Sequence, residues 1–210
     1  MTIEQLLNLF LLFLVVVDPI GNAPVFAGLV RGAERAFQRR MAIKGVVIAT
    51  AILLGFAFIG DRLLEAMHIT VPAFKIAGGL LLFLVALDMV FARHSGLRST
   101  TESEAAEARS RADVSVFPLA FPLLAGPAAL TTILLTVGEA RGAPLLFGAL
   151  IGVLVAVMLV TLACLLAAGW LMKVLGETGA NVVDRLLGVL LAALAVQHVV
   201  DGIKVSFGIG

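Results

Sequence analysis

Polar chemistry is scarce in this sequence. Its 210 residues include no tyrosine, one tryptophan, one cysteine and three histidines, and only 14% are charged. A soluble domain of this length needs a far larger charged and polar surface. Cys164 has no second cysteine to pair with in the chain and reads as a small apolar filler. His68, His94 and His198 are scattered, so no Cys/His cluster has metal-ligand spacing. A Walker A loop is missing, which argues against an ATPase, and so is a G-x-S-x-G nucleophile elbow. The chain is therefore read as a non-enzyme without a cofactor.

What is abundant is apolar: 61% of residues are hydrophobic and the mean hydropathy is +1.12. The bilayer core is roughly 30 Å thick, so a spanning helix needs about 20 apolar residues. Segments at 5–30, 43–60, 72–92, 115–138, 144–172 and 182–205 meet that test. The expectation is an all-α membrane protein with about six transmembrane helices and no soluble domain. The first residues lack the basic region of a cleavable signal, so segment one is read as a retained helix.

Charge sets an expected orientation. Arg31, Arg35, Arg39, Arg40 and Lys44 fall in the first connection, Arg93, Arg98, Arg109 and Arg111 in the third, and Lys173 at the fifth. The second connection, the fourth and the C-terminal end hold only Arg62, Arg141 and Lys204. The positive-inside rule puts the first group in the cytoplasm and both termini outside. Lys75 and Arg185 lie near helix ends, where long basic side chains snorkel to the headgroups. Asp184, beside Arg185, reads as first-turn dipole compensation.

The two halves of the chain resemble each other. Pro19 and Pro24 form a Pro-x4-Pro element in segment one, and Pro122 and Pro127 form another in segment four. Lys75-Ile-Ala-Gly78 precedes Asp88 in segment three as Arg185-Leu-Leu-Gly188 precedes His198 in segment six. The expected units are a three-helix repeat at 1–92, a polar cytoplasmic linker at 93–114 and a second repeat at 115–210. An odd number of helices per unit makes the second repeat enter from the opposite side, the inverted-repeat pattern of many secondary transporters.

Each Pro-x4-Pro element should break its helix, because proline removes a backbone bond and clashes with the preceding turn. With Gly21 and Asn22, segment one should open between 18 and 24; Gly126 should loosen 122–127. Freed backbone groups in hydrocarbon need protein, water or ligand partners, so both openings should face the bundle interior. Asp18 sits at the first opening, where a carboxylate costs at least roughly 2.5–3.5 kcal/mol. It can be an ordinary N-cap with Pro19 at the first helical position, with Asn22 capping a second start before Pro24. It can also bind a proton or a cation during transport, and the two roles are compatible.

The half-helix ends supply complementary poles. N–H groups near Ala23-Pro24 and near Pro127 suit a carboxylate. The carbonyl end near Val16 and Val17 suits a cation or an amine. Together they fit a zwitterion such as an amino acid. Thr131, Thr132 and Thr136 follow Pro127; hydroxyls in membrane helices usually bond back one turn, while Thr131 is near enough to the break to touch a ligand. Gly28-x-x-x-Gly32, Gly148-x-x-x-Gly152, Gly78-Gly79 and the Gly188, Ala192, Ala195 stripe read as close-packing features.

The run Val17-Asp18-Pro19-Ile20-Gly21-Asn22-Ala23-Pro24 resembles the signature of the MarC family of bacterial membrane proteins. Phe121-Pro122-Leu-Leu-Ala-Gly126-Pro127 resembles that family's matching second-half element, although many relatives have Gly where this chain has Ala128. The likeness spans essentially the whole chain. It implies a multi-pass protein of the bacterial cytoplasmic membrane and points to Asp18, Pro19, Gly21, Asn22 and Pro24, and to Pro122, Gly126 and Pro127. Some members are described as neutral amino acid transporters. The leading expectation is a secondary transporter or exporter of small polar solutes, coupled to H⁺ or Na⁺, whose partners are the bilayer, the solute and a second copy of the chain rather than nucleic acid. The rivals are a broad exporter of amphipathic drugs, which the few aromatics support poorly, and a membrane scaffold or signalling protein acting through 93–113.

Overall fold

In a computed structural model, which describes residues 3–91, 113–140 and 143–208, the described residues form eight helical elements and no strand. They are α1 (Ile3–Val17), α2 (Pro19–Leu29), α3 (Arg35–Ala66), α4 (Val71–Phe91), α5 (Ser115–Leu124), α6 (Pro127–Glu139), α7 (Pro144–Leu166) and α8 (Ala168–Phe207). Proline opens α2, α6 and α7, where its missing N–H costs nothing and its fixed φ suits the first turn. The expected linker at 93–114 falls outside the described residues up to position 112.

Among the described residues, five stretches are long and apolar enough to cross a bilayer, with α1 and α2 counted together, and α5 with α6 make a sixth, bent by 56°. These coincide with the six apolar segments of the sequence. Large apolar side chains such as Val47, Phe58, Leu159 and Leu190 stand exposed on the outside of the bundle. Exposed apolar surface of that extent marks a lipid-facing perimeter.

Two boundaries differ from the sequence reading. α3 begins at Arg35, so Arg35, Arg39, Arg40 and Lys44 ride on its first turns instead of occupying a loop. α7 ends at Leu166 rather than running to 172, and the chain turns at Ala167 straight into α8. α8 is itself divided at Gly176, whose φ of 64° and ψ of 178° lie in a region essentially reserved for glycine. Apolar length identifies both spans, but it carries no information about the corner between them.

α4 and α8 pack antiparallel along their length. A methyl group placed on Gly79 would sit 2.7 Å from the Ala195 carbonyl oxygen, one on Gly188 3.1 Å from that of Ala86, and one on Gly202 2.9 Å from that of Pro72. Helix backbones approach this closely only where side chains are absent. The Gly28, Gly32, Gly148 and Gly152 positions have open space over them, so those two motifs do not mediate packing among the described residues.

Candidate functional site

α1 and α2 are separated by one residue. Proline disfavours the α region for the residue before it, and Asp is among the few side chains that tolerate the left-handed region. Asp18, preceding Pro19, takes φ 47° and ψ 69°. Its N–H still donates to the Leu14 carbonyl at 2.9 Å, and its own carbonyl accepts the Asn22 N–H at 3.1 Å. Asp18 Oδ1 accepts the Gly21 N–H at 3.0 Å. Asn22 Nδ2 donates to the Val17 carbonyl at 2.7 Å. Two side chains thus satisfy the backbone groups that a helix break exposes.

This corrects three expectations. The break is confined to Asp18 and does not extend to 24. The second half-helix starts at Pro19, and Pro24 lies inside α2, at the loss of the one bond its N–H would have made. Asn22 caps no second start; it reaches back to the carbonyl end of α1. The Val17 carbonyl therefore already has a partner, and the ionisable group buried at the break is the Asp18 carboxylate.

That carboxylate is completely buried, at 0% exposure, and Asn22 is buried at 3%. A methyl group placed on Gly21 would lie 2.0 Å from Asp18 Oδ2 and 2.7 Å from Asp184 Oδ1. Two oxygens so close to one point stand within about 5 Å of each other, where like charges repel appreciably in a low-dielectric interior. Asp184 belongs to α8, which packs against α2. It lies eight residues beyond the Gly176 division, so it is not a first-turn acid as its sequence position suggested. Sequence reasoning missed it as a site residue. The local signal was an acid beside a basic neighbour at the start of an apolar run.

The second break is wider. Phe117 and Phe121 are extended, each before a proline, and both Phe–Pro bonds are cis. Hydrogen bonds spanning five residues step over them, from Leu119 N to the Val114 carbonyl at 3.2 Å and from Ala125 N to the Ala120 carbonyl at 2.9 Å. Gly126 is extended as well, and a methyl group on it would lie 2.2 Å from the Pro122 carbonyl oxygen. Only glycine leaves room for that approach. Pro127 then opens α6, and no side chain of Gly126 caps the new helix.

Thr132 donates to the Ala128 carbonyl at 2.9 Å, and Thr136 donates to those of Thr132 and Ile133. The back-bonding expectation holds for these two. Thr131 is buried with its methyl against Gly78 of α4. The predicted residues thus fall into separate places: Asp18, Pro19, Gly21 and Asn22 with Asp184 at the first break, Pro24 further along α2, Pro122, Gly126 and Pro127 at the second break, and Thr131 on α6 against Gly78 of α4. The two broken segments are neighbours, since α1 packs against α6 and α2 touches α5.

Outside the spans, Asp113 fixes the start of α5. Its Oδ1 accepts the Ser115 N–H at 2.9 Å and the Ser115 hydroxyl, and its Oδ2 pairs with Lys44 of α3. The Lys44 ammonium first, and the Ser115 donors second, hold the Asp113 carboxyl down from 3.8 to about 2.

Among known proteins, the family model described as "MarC family integral membrane protein" matches residues 3–207. A UPF0056 membrane protein of Aquifex aeolicus is 38% identical over 200 residues, covering 93% of this chain and 90% of the relative. One from Methanocaldococcus jannaschii is 35% identical over 189 residues, covering 90% and 91%. The UPF0056 inner membrane protein YhgN of Escherichia coli is 30% identical over 201 residues, covering 96% and 97%. No solved structure matches the chain.

Proposed function

Since this chain belongs to the MarC family of integral membrane proteins, and since it buries a carboxylate at a broken span, we propose that it is a secondary transporter of small polar solutes, with small neutral amino acids as the substrate class. The observation that carries this reading is Asp18, fully buried at a one-residue helix break with the Asp184 carboxylate across Gly21. A charged side chain inside a membrane bundle is costly and tends to mark an ion or substrate pathway. Two carboxylates facing one another repel when both are ionised, and a proton or Na⁺ between them relieves that repulsion. Asp18 and Asp184 are therefore the coupling-ion residues, with Asn22 and Pro19 fixing their geometry.

The solute sits at the second break. Gly126 leaves the first N–H groups of α6 without a side-chain cap, and a helix N-terminus suits the carboxylate of an amino acid. Pro122 and Pro127 hold its backbone open, and Thr131, one turn in, seats α6 against Gly78 of α4. Pro24, inside α2, weakens that half-helix by the one backbone bond its N–H would have made.

Alternating access follows from an inverted repeat of 1–92 and 115–210. Support comes from which elements meet. α4 packs on α8 and α3 on α7, each against its counterpart in the other half, while the two broken segments meet in crossed order, α1 on α6 and α2 on α5. The antiparallel α4–α8 contact fits the same relation. We put the basic end in the cytoplasm and both termini outside, supported by the excess of Lys and Arg at that end, and the protein in a bacterial inner membrane, supported by the name of the Escherichia coli relative, an inner membrane protein.

The test is uptake of labelled alanine, glycine and serine into proteoliposomes under imposed H⁺ or Na⁺ gradients. Gradient-driven accumulation by the wild type, lost in Asp18→Asn, is the expected result. Folded protein that accumulates none of the three under either gradient overturns the amino acid reading.

A further inference from the structure

At the basic end of the bundle, a cleft of 720 Å³ opens between the α2–α3 turn and the α7–α8 corner. Its floor is apolar and buried, made by Phe26, Val30, Leu165 and Ala168. Its rim carries three exposed cations, Arg35 and Arg39 from the first turns of α3 and Lys173 from the start of α8. Among the described residues no acid lines the cleft and none of these cations is in an ion pair. Leu166 and Trp170, the latter 65% exposed, carry the apolar wall out to the lipid-facing surface. Tryptophan is enriched at the membrane–water interface.

We propose that this cleft binds the headgroup of an anionic phospholipid. The three cations would hold the phosphate. The apolar floor, Leu166 and Trp170 would take the glycerol backbone and the first methylenes of the chains. A ligand that is charged at one end and apolar at the other uses both parts of the cleft, whereas a small soluble anion leaves the floor empty. Basic pockets at the cytoplasmic ends of membrane helices suit such headgroups, and the cytoplasmic leaflet supplies them. The proposal depends neither on transport nor on a chosen substrate.

Native mass spectrometry of the detergent-purified protein, titrated with phosphatidylglycerol and separately with phosphatidylcholine, tests it. The wild type should retain phosphatidylglycerol selectively. Arg35→Gln, Arg39→Gln and Lys173→Gln should each weaken retention about fivefold, and the triple variant roughly a hundredfold. Arg62→Gln, away from the cleft, should change nothing, and circular dichroism keeps loss of binding apart from loss of fold. If the triple variant does not fold, the three single variants and the wild-type lipid preference decide the matter. Equal retention of the two lipids, or full retention of phosphatidylglycerol by the single variants, overturns the proposal. Displacement of phosphatidylglycerol by glycerol phosphate alone would also overturn it, by assigning the cleft to a soluble anion.

Discussion

Asp18 serves two purposes at once, and substitutions can separate them. As an N-cap it needs only an oxygen to accept the Gly21 N–H; as an ion site it needs a charge. Asp18→Asn keeps the acceptor, so thermal unfolding should be close to wild type while coupled uptake is lost. Asp18→Ala removes the cap as well and should cost about 1 kcal/mol of stability in addition. An Asn variant that unfolds as readily as the Ala variant would reduce Asp18 to a cap. Gly21 is constrained from two directions, because any Cβ there meets both carboxylates. Gly21→Ala should be destabilising by about 1–3 kcal/mol, the range for overpacking, and should impair uptake even though alanine is the better helix former. A Gly21→Ala protein as stable as wild type would mean that the carboxylates do not close over this position.

At the scale of elements, close packing between α4 and α8 rests on glycine. Gly188→Leu should lower stability by at least about 1–3 kcal/mol, because its side chain would meet Met89 and the Ala86 carbonyl. Gly148→Ala, with open space above it, should be neutral or stabilising by up to about 1 kcal/mol. Denaturant or thermal melts of the two variants in one detergent give the comparison. The α3–α5 tie has its own signature. Asp113 is held below its ordinary value by Lys44, so the contribution of the pair is fully present above pH 3.8 and is lost as pH falls toward about 2. Both side chains are more than a third exposed, so the effect should be small and should fade in salt. A melt of Lys44→Gln that converges with wild type across that window, and differs above it, is the expected result. Elements of this kind were only partly legible in the sequence. Hydrophobic length marked every span, since bilayer thickness fixes it. The prolines marked where two spans break. How far each break extends depends on a single left-handed Asp18 and on Asn22 reaching back to Val17, neither of which a Pro-x4-Pro spacing encodes. Gly28/Gly32 and Gly148/Gly152 have the spacing of a packing motif and face open space, because spacing defines a face without saying what stands opposite. Asp184 was hidden for the same reason: its neighbour Gly21 lies in the other half of the chain.

For the whole molecule, orientation is the first quantity to measure. With Cys164 replaced by serine, Met67→Cys should react with a membrane-impermeant thiol reagent on intact cells, and Glu34→Cys should react only after the membrane is opened. Both positions are exposed and lie at opposite ends of α3. The reverse pattern would put the basic end outside and both termini inside. The scarcity of aromatic side chains then has a practical consequence. With no tyrosine in the chain and a single tryptophan, the intrinsic emission of the molecule comes from one place, Trp170 on α8, just past the corner with α7. The protein therefore carries its own fluorophore at the mouth of the basic cleft. The colour of its emission and its quenching by brominated lipids would track what fills that mouth in the unlabelled, unsubstituted chain, during turnover as well as at rest.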